Sequence, residues 1–134
     1  EKILLKQIEF QNFNIYYNKN ITKTRNYHVD SYNGNRYKVF VYLTNCEDYK
    51  YGPFCYILGS HKKNYYKFFN KFYNKIFKKK LTDMKFYDKS QETAILGKSG
   101  TLLISNQNGM HKGYPQSDGA ERLIGVFNFK IKDN

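Results

Sequence analysis

The strongest constraint on this chain is a rhythm of short apolar runs, each ended by turn-forming residues before it can grow long. "RYKVFVYLTN" at 36–45 is β-branched and aromatic throughout and carries no breaker. "FCYILGS" at 54–60, "ETAILG" at 92–97, "GTLLIS" at 100–105, "MHKGYP" at 110–115 and "RLIGVFNFKIK" at 122–132 follow the same style. Between them lie "NGN", "EDYKYGP", "NQNG" and "QSDGAE", which are turn and loop chemistry. Side chains of this type suit a pleated, half-buried surface, and strands this short must stack as two sheets to bury a face. The pattern predicts a mainly β domain, a sandwich or jelly roll, in which 54–60 is the return strand of a hairpin begun at 36–45.

Two segments depart from that rhythm. In "KILLKQIEFQNFNIYY" at 2–17 the apolar residues change phase midway, from Ile8 and Phe10 to Phe13 and Ile15. A strand with a bulge accommodates that change better than an amphipathic helix does. At 64–80, "NYYKFFNKFYNKIFKKK", aromatic residues recur every three or four positions from Tyr65 to Phe77 with lysines opposite. This predicts one inserted amphipathic helix, capped by Asn64 or Ser60, with its lysines at 78–80 suiting the C-terminal end. Its aromatic stripe is expected to pack on its own domain rather than on a membrane surface.

The 134 residues suffice for a single domain; they include no apolar run of membrane-spanning length, and the stretch "EKILLKQIEF" lacks the uninterrupted apolar run expected of a secretory signal. Cys46 and Cys55 could flank a hairpin connection and form a disulfide, but two cysteines without a secretory signal read as reduced thiols of a cytoplasmic protein, and without a CxxC pair they do not suggest structural zinc. The formal net charge of +12 raises nucleic acid as a partner. Lys, Asn, Tyr, Ile and Phe are all abundant together, however, and share A/T-rich codons, while the arginines are only Arg25, Arg36 and Arg122, far apart in sequence. A nucleic-acid footprint is expected to be clustered and arginine-rich, so the reading is no nucleic acid and no membrane.

Three histidines limit the search for chemistry. His28 and Asp30, two apart in "NYHVDS", share a face if that stretch is extended. An imidazole and a carboxylate side by side need one more imidazole to complete a facial triad for Fe(II), and His61 and His111 are the candidates. The bare pair is weak evidence for a metal.

The wider context is more specific. "YHVDSYNGNRYKVFVYLTNCEDYKYGPFCYILGSHKK" and then "GKSGTLLISNQNGMHKGYPQSDGAERLIGVFNF" resemble the phytanoyl-CoA dioxygenase family of Fe(II)- and 2-oxoglutarate-dependent oxygenases, from about residue 26 to 129. The resemblance implies a double-stranded β-helix, the cupin-like jelly roll, as a single oxygenase domain over 1–134 lacking an N-terminal portion of the full-length protein. It implies His28, Asp30 and His111 as iron ligands and Arg122 as the anchor for the distal carboxylate of 2-oxoglutarate, with Gly113 beside that co-substrate. A planar guanidinium suits the task because it grips a carboxylate through two parallel hydrogen bonds. Family members often carry a small hydroxyl residue where this chain has Gly113. His61 resembles a family histidine that is not a ligand and is expected to fix the turn into the helix; Gly59 serves backbone geometry there. Tyr27, Tyr42 and Lys38 are candidate pocket residues.

The activity implied is hydroxylation of a small organic substrate by O2 with release of succinate and CO2, since Asp30 keeps the carboxylate that halogenating relatives lack. An anionic substrate would suit the positive charge. The alternative is a non-catalytic jelly-roll module that holds a metal or a small acid without turnover.

Overall fold

The computed structural model describes residues 7–62 and 64–132. Strands β1 (Gln7–Lys19), β7 (Glu121–Lys132), β2 (Arg36–Tyr42) and β5 (Leu102–Asn106) lie side by side in that order in one antiparallel sheet. Strands β4 (Glu92–Ile95), β3 (Phe54–Ile57) and β6 (His111–Gly113) form the other. One α-helix, α1 (Tyr65–Ile76), is inserted between β3 and β4. Two antiparallel sheets with one helix are consistent with a jelly-roll or cupin-like fold, and no described helix is long and apolar enough to cross a membrane.

Burial on β3 shows how the layers stack. Phe54 joins a core with Phe40, Tyr42, Cys46, Ile124 and Val126, contributed largely by β2 and β7. Cys55 and Ile57, pointing the other way, join Tyr27, Val29, Met84 and Met110. β3 is thus buried on both faces, which explains why its sequence does not alternate. The expected hairpin from β2 to β3 therefore does not form: β3 pairs with β4 and β6, in the opposite sheet. The connecting segment turns through an Asp48-capped 3-10 turn and Gly52, whose φ of 72° is left-handed, and so carries the chain across the core. Cys46 and Cys55 end up in different cores, both buried and free.

The phase change in β1 is resolved by a register shift between Phe10 and Asn12. The extra residue keeps Ile8, Phe10, Phe13 and Ile15 on one face despite the altered spacing. That face points away from the core, and all four side chains are exposed. The part of this predicted strand at 2–6 lies outside the described residues.

The helix reverses its expected orientation. Tyr65, Phe68, Phe69, Phe72, Ile76 and Phe77 are each between 54% and 69% exposed, whereas Asn70 and Asn74 are fully buried and Lys67 nearly so. The reason lies in what the helix packs against, an irregular stretch at 83–86 in which Met84 bonds to Tyr27 but the Lys85 and Phe86 N–H groups and the Asp83 and Phe86 carbonyls meet side chains of the helix instead of a strand. Asn70 accepts hydrogen bonds from the backbone N–H groups of Lys85 and Phe86 and donates to the Phe86 carbonyl, and Asn74 donates to the Asp83 carbonyl. Buried backbone polar groups must be paired, and only the polar face of this helix can do that. Asn64 is the N-cap, accepting from the Lys67 N–H, while Ser60 instead ties the Ile57 carbonyl to the Met110 N–H. The helix ends at Ile76, short of the predicted 80, in a left-handed Lys78.

Candidate metal centre

Residues 27–30 are held extended between two neighbours. On one side, His28 and His111 exchange backbone hydrogen bonds at 3.0 and 2.9 Å, and the Asp30 N–H donates to the Gln107 carbonyl. On the other, the Val29 N–H donates to Thr82 and the Met84 N–H to Tyr27. Strand alternation then sends Tyr27 and Val29 into the core shared with Met84 and Met110, and leaves His28 and Asp30 on the opposite face. His111 is the register partner of His28, so its ring lies alongside, with centroids 4.5 Å apart. The three side chains converge: His28, Asp30 and His111 each offer a ligand atom within 4.8 Å of the others.

The orientation of each group suits a cation. The Nδ1 atoms of His28 and His111 lie 2.9 and 2.8 Å from the carbonyls of Asn26 and Gly109. A nitrogen facing a carbonyl carries the proton, so each ring turns a bare Nε2 lone pair towards Asp30 Oδ1, at 3.6 and 3.7 Å. Desolvation lowers the pKa of both rings, that of His111 to about 4, so both are neutral donors at pH 7. Burial pushes Asp30 upwards, but the hydrogen bond and charge of Lys38 outweigh it and hold the carboxylate ionised. Lys38 Nζ sits 2.6 Å from Asp30 Oδ2, which leaves Oδ1 as the oxygen facing the two imidazoles. Phe54 stacks on the His111 ring at 5.6 Å, and closes that side of the centre.

A cavity of about 260 Å³ opens from the two histidines towards β7 and is lined also by Lys38, Phe40, Phe54, Gly113 and Arg122. Arg122 stands near the start of β7 with its Nε buried and unpartnered, and desolvation lowers its pKa. A buried guanidinium with an unused donor is suited to an acid. Gly113 lines the same cavity, and a Cβ built there meets nothing within 4 Å.

The structure brings together His28, Asp30, His111, Arg122 and Gly113, all of them singled out in the sequence. It sets Tyr27 and Tyr42 in the cores, where the Tyr42 hydroxyl donates to the Ile95 carbonyl and accepts from the Phe54 N–H. His61 contributes to the turn before α1 through its carbonyl, which accepts from Lys67 Nζ and Asn108 Nδ2, and its ring is exposed. Of two supporting residues, sequence reasoning named Lys38 and missed Gly109. Lys38 was one pocket candidate among several, and only its i, i+2 relation to Phe40 on an alternating strand hints that it points inward. Gly109 had no signal beyond its turn: a Cβ there would collide with the Tyr56 ring, one residue before Met110 leads into His111.

No family model matches the sequence. No curated protein matches it either. Solved structures do resemble it. HygX from Streptomyces hygroscopicus, with nickel and 2-oxoglutarate bound, superposes with a TM-score of 0.66 at 18% identity over 92% of this chain and 56% of its own. ThoJ, a non-haem monooxygenase in complex with nickel, gives 0.61 at 16% identity over 92% and 44%. AviO1 from Streptomyces viridochromogenes gives 0.64 at 10% over 92% and 51%. The chain thus spans about half the length of these neighbours, and at such identities what it shares with them is the fold.

Proposed function

We propose that this protein is a non-haem Fe(II)- and 2-oxoglutarate-dependent oxygenase, resembling the phytanoyl-CoA dioxygenase family, that hydroxylates a small organic substrate and releases succinate and CO2. The observation that carries the reading is the convergence of two neutral imidazoles and one ionised carboxylate, with their free donor atoms turned towards a common point. It is supported by the printed contents of the fold neighbours, nickel with 2-oxoglutarate in HygX and nickel in ThoJ.

In this reading His28 Nε2, His111 Nε2 and Asp30 Oδ1 are the atoms that would hold Fe(II). Fe(II) with 2-oxoglutarate and O2 supplies the oxidising power to insert an oxygen atom into a C–H bond. The work of the chain is to bind and orient. Carbonyls of Asn26 and Gly109 fix both histidine tautomers, and Lys38 holds the second oxygen of Asp30 so that the carboxylate presents one atom. Arg122 receives the distal carboxylate of 2-oxoglutarate, and the open space beside Gly113 leaves room for it. Phe54 and Phe40 give the cavity an apolar wall beside the charged contacts.

The test is thermal. Fe(II) and 2-oxoglutarate together should raise the melting temperature under anaerobic conditions, by mass action on the folded state. Arg122→Ala should lose the increment due to 2-oxoglutarate and keep that due to Fe(II). No shift with either ligand at millimolar concentration would overturn the reading, and succinate formed in air without added substrate would separate an enzyme from a module that only binds.

A further inference from the structure

A second cavity, of about 490 Å³, adjoins the candidate metal centre and includes Asp30 and Lys38 in its lining. Its wall is strongly cationic. Arg25, Arg36, Lys38, Lys80 and Lys130 all line it, and Asp30 is the one acid among its lining residues. That acid is already neutralised by Lys38 at 2.6 Å. Arg25 is likewise engaged, with Asp83 at 2.6 Å. Arg36, Lys80 and Lys130 are exposed and have no carboxylate partner among the described residues. Arg36 and Lys130 are direct register partners across β2 and β7, one step from the Lys38–Asn128 pair. Glu9, the register partner of Lys130 in β1, makes its ion pair with Lys132 at 2.9 Å rather than with Lys130.

Like charges facing each other across adjacent strands are destabilising, and a fold that keeps them unpaired around a concave surface is suited to an anion. The cavity is the size of a metabolite site. It also holds polar groups: Asn128 and the buried Gln107, whose Oε1 has no partner and suits a ligand hydroxyl or N–H.

We propose that this cleft is the substrate-binding mouth of the centre and that the substrate is a small polar molecule carrying a phosphate, sulfate or carboxylate group. The anion sits among Arg36, Lys80 and Lys130, and the rest of the molecule extends past Asn128 to the open side of the triad. This rests on the oxygenase reading above, because only that reading makes the neighbouring centre a place of reaction.

The experiment is calorimetric titration of the metal-free protein at low salt with pyrophosphate, sulfate and citrate, and with spermidine as a cationic control. Pyrophosphate, sulfate and citrate separate the three anion types, and the tightest binder names the group. Binding of at least one anion is expected, with no spermidine binding. Arg36→Ala/Lys130→Ala should weaken that anion at least about tenfold. Lys75→Ala/Lys98→Ala, which removes the same charge from exposed sites outside the cleft, should change it less than about twofold.

No anion binding, or equal loss in both double variants, overturns the proposal. Melting curves with Fe(II) and 2-oxoglutarate are run on the same proteins, and Arg36→Ala/Lys130→Ala should keep the wild-type shift. Cleft-dependent anion binding without that shift in the wild type overturns the oxygenase reading and retains the anion site. The shift without cleft-dependent anion binding does the reverse.

Discussion

His111 is 4% exposed and pressed between the His28 and Phe54 rings, and that burial has a measurable consequence. An unfolded histidine takes up its proton near pH 6.5, whereas His111 in the fold resists protonation down to about pH 4. Between those values the unfolded state binds the extra proton. Stability that is complete above pH 6.5 should therefore fall as the pH drops through this window, by about 1.4 kcal/mol per pH unit and roughly 3 kcal/mol in all. Urea unfolding of the metal-free protein at pH 7, 6 and 5 measures the slope, and His111→Gln should reduce it to the part contributed by His28, whose pKa burial also lowers. A second residue-scale outcome concerns Gly109. Gly109→Ala would drive a methyl group into Tyr56, whose hydroxyl is tied to the Asn106 carbonyl, and would displace the carbonyl that orients His111. It should cost about 1–3 kcal/mol of stability and weaken Ni(II) binding, read by calorimetry, more than Gly113→Ala does. The candidate ligands His28, Asp30 and His111 were named in the sequence because the HxD spacing and the resemblance to a known family single them out. Gly109 was not, because its importance lies in Tyr56, a residue distant in sequence.

Helix α1 shows how an element answers to its neighbours. Its period and its Asn64 cap are local properties, and both were readable from 64–80. Which face turns inward depended on the segment at 83–86, whose unpaired backbone groups select the asparagines over the aromatics. The C-terminus is also determined locally but without a sequence signal. Lys79 N–H reaches the Asn74 carbonyl at 2.8 Å and Lys78 N–H the Lys75 carbonyl, a Schellman arrangement with lysine in the left-handed position that normally takes glycine. Lys78→Gly should remove that strain and stabilise the fold by about 0.5–1 kcal/mol, seen as a shift of the denaturant midpoint with unchanged slope. The lysine run at 78–80 hid this stop, because lysines also suit the last turn of a continuing helix.

At the scale of the molecule, the outer face of the four-stranded sheet is the unusual surface. Ile8, Phe10 and Ile15 from β1 and Leu102 and Ile104 from the β5 edge are all more than half exposed, and α1 adds its aromatic stripe elsewhere. Contiguous apolar surface of this kind promotes association. The isolated chain should show a sedimentation coefficient that rises with concentration and should bind a hydrophobic dye, and Phe10→Lys/Ile104→Lys should suppress both while leaving the melting temperature nearly unchanged. Charge tells the complementary story. Arg25 and Arg36 are distant from Lys80 and Lys130 in sequence and look like compositional background there, yet the fold gathers all four around one cleft beside Asp30.

The sequence by itself determined the mainly β class, the phase change that becomes a bulge in β1 and the one helix, with its cap left between Ser60 and Asn64, and it offered Asp30 and the histidines as donors able to bind a metal. Each of these follows from local periodicity, turn chemistry or the side-chain donor set. Only the tertiary structure decided that β3 leaves β2 for the opposite sheet, that the helix buries its polar face, that Lys38 closes on Asp30, and that scattered cations form a cleft. All four depend on which backbone and side-chain groups are left without a partner once distant strands have paired, and that is a property of the assembled layers rather than of any one segment.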